Sequence, residues 1–425
     1  MLSSLIVPTS YATPLPSIQC GAILTSSVTL KTDMGPCAGS GIAIGADGIT
    51  INCAGHRIEG SSIPLTSGIN VTEHTKVRIA NCIATGFSFG YFVSNSAGIM
   101  LEKSVAADNL LSGFYLSDTV SSRLIWDNAN GNSIYGFRLV GTSNVVLYSD
   151  TATNGGFGYS LSGSSRNVLM KNKANANSNY GISISESSDG NSIALNSASA
   201  NRIYGVFISD SSKNRLTGNI AEGSIGGFSI TASSNDVIYG NEASGNQYGY
   251  SFLRFSQSAV SANKAASDVY GYYFSSSISN KVFKNAATKC DYYGFGIGNS
   301  ETNLVTQNTA TGSGNYGFLV WSSSGNSLIL NSARAGGYGF SLTSSNGNAL
   351  TRNSASGNAD AGFTLHGSLN NTIAGNSAQN NGGYGFSDDS TGFGRDGTGN
   401  TYSNNHFEGN FKGGSIPQGL GDPQP

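Results

Sequence analysis

Four carboxylates offer this sequence its most direct route to chemistry. Glu186 and Asp210 each lie five residues after a glycine, Gly181 and Gly205, in two phrases that match one another. Asp268 and Asp291 stand three residues before Gly271 and Gly294 in two later phrases of the same kind. Carboxylates held about one strand spacing apart can act as general acid and base or share a calcium ion. Neither pair has a basic residue at a matching position to take or return a proton, and aspartate is ordinary in turns. We therefore expect a structural role for all four, with catalysis as the rival and calcium as the one cofactor such carboxylates would take.

Aromatic residues form a second set. Leu253, Tyr273, Leu319, Trp321 and His366 fall two or four residues after a phrase glycine, at positions expected to face outward. Trp321 and Tyr273 are two phrases apart, roughly 10 Å by strand spacing. Tyr273, Trp321 and His366 suit a glycan, whose sugar faces stack on flat rings while Asn and Ser take its hydroxyls. Tyr also precedes the phrase glycine in nine copies, from Tyr135 to Tyr384. These are expected to stack as a partly buried column along one edge.

Cys20, Cys37, Cys53 and Cys82 crowd the N-terminal end, and an even number of cysteines in an exported protein favours disulfides. Pairing Cys20 with Cys37 and Cys53 with Cys82 would staple that end. No CxxC occurs, which weighs against zinc, and Cys290 is expected to be a buried thiol. His56, Arg57, Glu59, Glu73 and His74 make the densest group of ionisable residues here. They read as a polar first coil with a hydrogen-bonded histidine, and a ligand site is the minority alternative.

The elements that must position these residues follow from one period. Gly90, Gly113, Gly136, Gly158, Gly181, Gly205, Gly227, Gly249, Gly271, Gly294, Gly317, Gly339, Gly362 and Gly385 recur at intervals of 22 to 24 residues. One residue after each comes an apolar side chain, and three residues after it another in thirteen of fourteen copies, Asp388 being the exception. Alternation of period two is that of a strand with one buried face. A second apolar segment ends at an Asn, and two residues after that Asn stands an Ala in every copy from Ala174 to Ala378. That small position suggests a tight inward corner. Asn pairs five apart, such as Asn303 and Asn308, suit turns with stacked amide ladders, where Asn tolerates the left-handed backbone. A unit that cannot bury its apolar face alone is stabilised by stacking on its neighbours, which makes an all-β solenoid.

These phrases resemble the right-handed parallel β-helix repeat of the pectin-lyase-like superfamily. In their N-x-φ-x-x-N spacing they are similar to the β-helix domain of NosD-type periplasmic proteins, over roughly residues 40 to 410. The resemblance implies a right-handed, single-stranded parallel β-helix of about fourteen coils of 22 to 24 residues. It implies no single activity, because the superfamily holds lyases, hydrolases, epimerases, adhesins and non-catalytic proteins. Of the polygalacturonase set only Asp388-Asp389 is present, and the Asp-Pro-His-Asp phrase of mannuronan epimerases is absent. The copper implied by NosD lacks support, since four Met and four His are scattered singly.

Composition narrows the partners. A net charge of −2 with 11% charged residues leaves no footprint for nucleic acid or an anionic membrane. No run of eighteen apolar residues suggests a membrane span. We expect a leader or truncated signal segment over 1–19, a cap and first irregular coils over 20–89, a regular β-helix over 90–410 and a flexible tail over 411–425. The whole reads as a monomeric exported protein, secreted, periplasmic or at the cell surface. Its expected role is non-catalytic binding of polysaccharide or envelope components through a lateral face. The alternatives are a polysaccharide lyase, hydrolase or uronate epimerase, and a purely structural stalk.

Overall fold

The computed structural model describes residues 18–421. The expected leader, apart from its last two residues, lies outside them. Each coil contributes three strands, as in Tyr316–Trp321, Ser327–Ile329 and Ser332–Arg334. Equivalent strands of successive coils pair in parallel, so Phe318 lies beside Phe340 and Val320 beside Leu342. Three parallel sheets result, with 18, 17 and 17 strands. The chain is thus a parallel β-solenoid with a few more coils than fourteen. The extra coils use other phrases: Ala22–Leu24 pairs with Ile42–Ile44 before the first Y-G-F. At the far end Gly413–Ile416 pairs with Tyr384–Asp388, where a flexible tail was expected.

The widest sheet, made mostly of six-residue strands, sends its alternate residues inward as the period requires. Phe318 and Val320 are buried, whereas Leu319 and Trp321 are part-exposed. Inward rings stack on one another from coil to coil. Phe295, Phe318, Phe340, Phe363 and Phe386 have nearly parallel rings with centroids 4.7 to 4.9 Å apart. That distance is the strand spacing itself, so the β ladder sets the stacking geometry without added strain.

The phrase glycine faces the repeated alanine across the core. A Cβ on Gly317 would stand 2.5 Å from the Ala333 Cβ and 2.7 Å from the Gly339 carbonyl oxygen. The alanines therefore do not line a corner, as their spacing suggested. They sit mid-strand in a narrow sheet, opposite a glycine that lets the two walls approach.

Corners are held by three ladders of asparagine. Asn285 donates its backbone N–H and its Nδ2 to Asn308 Oδ1, both at 2.9 Å, and Nδ2 also reaches the Val260 carbonyl at 2.9 Å. Asn308 repeats this toward Asn331. The second member of each five-apart pair heads its own corner, as Asn303 and Asn308 do. The left-handed residue is the one before the ladder asparagine: Gln307 has φ 56° and Leu330 φ 55°. Ladder asparagines serve to satisfy buried backbone groups rather than to adopt that conformation.

Both ends are specialised. Disulfides join Cys20 to Cys37 and Cys53 to Cys82, as expected, and Cys290 is a buried free thiol. At the other end Asp388 takes an inward apolar position beside Leu365. It is satisfied there by the Ser390 hydroxyl at 2.6 Å, the Tyr402 hydroxyl at 2.8 Å and Asn400 Nδ2 at 2.9 Å.

Candidate functional site

The outer face of the widest sheet carries the aromatic column. Along the strands from Tyr248 to Tyr338, the residue before the glycine is a tyrosine in every coil. Tyr248 and Tyr270 stack with centroids 4.8 Å apart, and Tyr316 and Tyr338 at 5.4 Å. Within these two pairs the rings pack face to face, so solvent meets their edges and hydroxyls; Tyr293 between them is tilted 41° to Tyr270 and buried. The hydroxyls of Tyr248, Tyr270, Tyr316 and Tyr338 have no hydrogen-bond partner among the described residues. Burial, then the neighbouring phenols, pushes the Tyr248 hydroxyl above its ordinary pKa, so it stays neutral.

Trp321 is only half-exposed, and the reason is two glycines in the strand beside it. Gly296 and Gly298 occupy the outward positions of Tyr293–Gly298. A Cβ on Gly298 would fall 2.2 Å from the Trp321 ring, and one on Gly296 would fall 2.6 Å from the Tyr293 ring. The indole thus lies down over Gly298 and reaches Tyr273 two coils away. Their rings are 6° from parallel with centroids 6.0 Å apart, closer than the 10 Å that strand spacing implies. Tyr293 joins the same cluster, 6.1 Å from Trp321, and is 5% exposed. Gly296 and Gly298 are not among the residues expected from the sequence to build this face. Their signal was two glycines in outward columns where the other thirteen phrases all carry a side chain.

His366 stands two coils beyond Trp321 in the same column, through Thr343. Its Nδ1 pairs with an Asp389 carboxylate oxygen, whose other oxygen accepts the Gly367 N–H at 2.8 Å. The side chain is well exposed and does not touch the aromatic cluster.

The carboxylates are not brought together. Glu186 and Asp210 follow adjacent strands, both exposed and left-handed. Glu186 accepts a hydrogen bond from Ser162 on the preceding coil, pointing back from Asp210. Neither has an ion-pair partner among the described residues. Asp268 and Asp291 are not in register. Ala266 pairs with Thr288, which sets Asp268 level with Cys290, and Asp291 is an extra residue in the turn. Asp268 is fully buried within an asparagine ladder, accepting from Asn246 N–H at 2.8 Å and Nδ2 at 3.0 Å. Its burial pushes the carboxyl up to about 6.

Three more aspartates, none of them expected from the sequence to be special, occupy ladder positions. Asp127 and Asp150 are consecutive in one ladder, the Asp127 N–H donating to Asp150 Oδ1 at 2.8 Å. Burial pushes Asp150 up to about 8 and Asp236, in another ladder, up to about 7. Asp127 is held well above the carboxylate range by burial and by Asp150. Their signal was an Asp where the register calls for Asn.

A family model described as periplasmic copper-binding protein (NosD) matches residues 119–251 and 241–415, well over half of the chain. The chain belongs to the NosD family. Its place is accordingly secreted or periplasmic, and among the described residues no helix is long and apolar enough to cross a membrane.

The copper named in the NosD description is not matched by the residues of this chain. Copper favours His, Met and Cys. His56 Nδ1 is taken by Asp33 and His74 Nδ1 by Asp47, each at 3.0 Å, and His406 Nε2 lies 3.7 Å from Glu408. The Asp33 carboxyl is lowered mainly by the Arg57 N–H and then by His56, and Asp47 mainly by the Thr75 N–H and then by His74. The four histidines are spread over separate coils, and no three His, Cys, Asp or Glu side chains converge among the described residues.

Several solved structures are similar in shape to this NosD-family chain. The Dettilon tailspike protein gp208 has a TM-score of 0.42 at 12% identity, over 73% of this chain and 62% of that one. The periplasmic alginate epimerase AlgG scores 0.39 at 14% identity, over 87% and 77%. PfbA, a surface adhesin of Streptococcus pneumoniae, scores 0.37 at 11% identity, over 76% and 83%. This chain thus spans less than two thirds of the tailspike. At these identities the likeness extends no further than the coiled β architecture. Among curated proteins none matches the sequence.

Proposed function

We propose that this protein is a non-catalytic β-helix that binds polysaccharide or another glycan of the cell envelope along the outer face of its widest sheet. The observation that carries the reading is the cluster of Trp321, Tyr273 and Tyr293 over Gly296 and Gly298. Glycines at two outward positions cost strand stability, since they lose the most backbone freedom on folding and bring no side chain to the packing. Here Gly298 makes room for the Trp321 indole and Gly296 for the Tyr293 ring, on a surface that needs no extra core. An enzymatic role gains nothing from the carboxylates, because Asp268 is buried and Glu186 and Asp210 have no basic partner. The binding reading needs no metal.

The test is retention of the protein on immobilised envelope and plant polysaccharides, with product assays after long incubation. Binding by the native chain, reduced at least tenfold in Trp321→Ala and without turnover, is the expected result. Product release that disappears in Glu186→Gln or Asp210→Asn would replace this reading with a lyase, hydrolase or epimerase. Absence of binding and turnover would leave a structural stalk.

A further inference from the structure

The outward strand positions of the widest sheet carry no Asp, Glu, Lys, Arg or His across nine successive strands, from Phe157–Ser162 to Tyr338–Thr343. They hold Tyr, Phe, Ser, Thr, Gly, Leu and Trp321. The charge-free stretch ends below at Arg138, which lies over Tyr135 at 4.8 Å, and above at His366 with Asp389. At eight strand spacings it is about 40 Å long. Its rims carry charges of both signs, Arg202 and Arg254 against Glu186, Asp210 and Asp291.

Resting on the binding reading above, we infer that the ligand is a neutral, hydroxyl-rich glycan laid along the rod and held chiefly by the row of tyrosine hydroxyls. A uronate or phosphate polymer brings about one charge for every one or two sugars, and burying it against a face that itself carries no cation would leave most of those charges without a partner. A neutral sugar brings hydroxyls that both donate and accept. Tyr248, Tyr270, Tyr316 and Tyr338 present phenols that do the same and that have no partner among the described residues. Their rings already stack on each other, so most of the column offers hydroxyls rather than ring faces. A pyranose in an extended chain advances by close to one strand spacing, which lets neighbouring sugars meet Tyr248 and Tyr270, or Tyr316 and Tyr338, with the buried Tyr293 between the two pairs. Stacking on a ring face is then a local feature of the Trp321 cluster.

The full chain is titrated with a soluble neutral β-glucan and, separately, with polygalacturonate and alginate, at low and high salt. The expected result is saturable binding of the neutral glycan, indifferent to salt. Tyr270→Phe and Tyr316→Phe keep the rings and should each weaken it about fivefold, the equivalent of about 1 kcal/mol per hydrogen bond. Binding confined to the two uronates, and lost in high salt, would overturn this inference while leaving the glycan-binding reading in place. Neutral binding untouched by both Tyr→Phe changes would overturn the role given to the hydroxyls. No binding of any of the three would remove both readings.

Discussion

Two kinds of repeated column run along this rod, and they differ in how fully their polar groups are satisfied. In the asparagine ladders each amide accepts from the coil before, donates to the coil after and closes on a carbonyl, as Asn285 does. In the outer tyrosine column the rings of Tyr248 and Tyr270, and of Tyr316 and Tyr338, pack while their hydroxyls have no partner among the described residues. Both are periodic to the same degree, so periodicity alone does not separate structure from function. The distinction is that one column completes its bonding within the chain and the other leaves a row of donors to a partner.

The largest expected effect concerns the ladder where it holds acids. The folded-state pKa of Asp150 is about 8 and that of Asp236 about 7, against an ordinary value of 3.8. A raised value means that folding favours the protonated form. The stability is therefore full below about pH 4 and is lost as pH rises toward about 8. Denaturant unfolding should show a decline of several kcal/mol between those limits, and Asp127→Asn with Asp150→Asn should flatten most of it. A rod equally stable at both limits would mean that these acids are ionised and paired in some other way.

Breaking a neutral ladder comes next. Asn308→Leu leaves the Asn285 N–H and the Val282 carbonyl without partners and should cost about 3 kcal/mol in the same assay. Gly317→Ala forces a methyl group against Ala333 and the Gly339 carbonyl and should cost about 2 kcal/mol. Tyr316→Phe, in the open column, should change stability by less than about 0.5 kcal/mol. If Tyr316→Phe destabilised the rod as much as Asn308→Leu, the contrast between closed and open columns would fail.

Much of the fold is legible in the sequence because one short-range rule, apolar at one and three after glycine, repeats often enough to fix the inward face. The disulfide pairing was legible as well, since Cys20, Cys37, Cys53 and Cys82 stand close together at one end. Other features depend on distances that no period records. Counting from the glycines put Asp268 level with Asp291, but strands in the narrow sheet pair 22 residues apart while Tyr270 and Tyr293 pair 23 apart. The extra residue is taken up in the turn, which buries one aspartate and exposes the other. Trp321 was expected to stand in solvent; it is only half-exposed because its side chain crosses one whole strand, and Gly298, which permits this, belongs to the neighbouring coil.

The central claim is that the outer face of the widest sheet is the contact surface. The chain has two tryptophans, Trp126 and Trp321, so Trp126→Phe leaves Trp321 as the sole reporter. Titrating that variant with the neutral β-glucan should shift and saturate the Trp321 emission in step with binding measured by calorimetry. Calorimetric binding with an unchanged Trp321 emission would place the contact elsewhere on the rod and contradict the account.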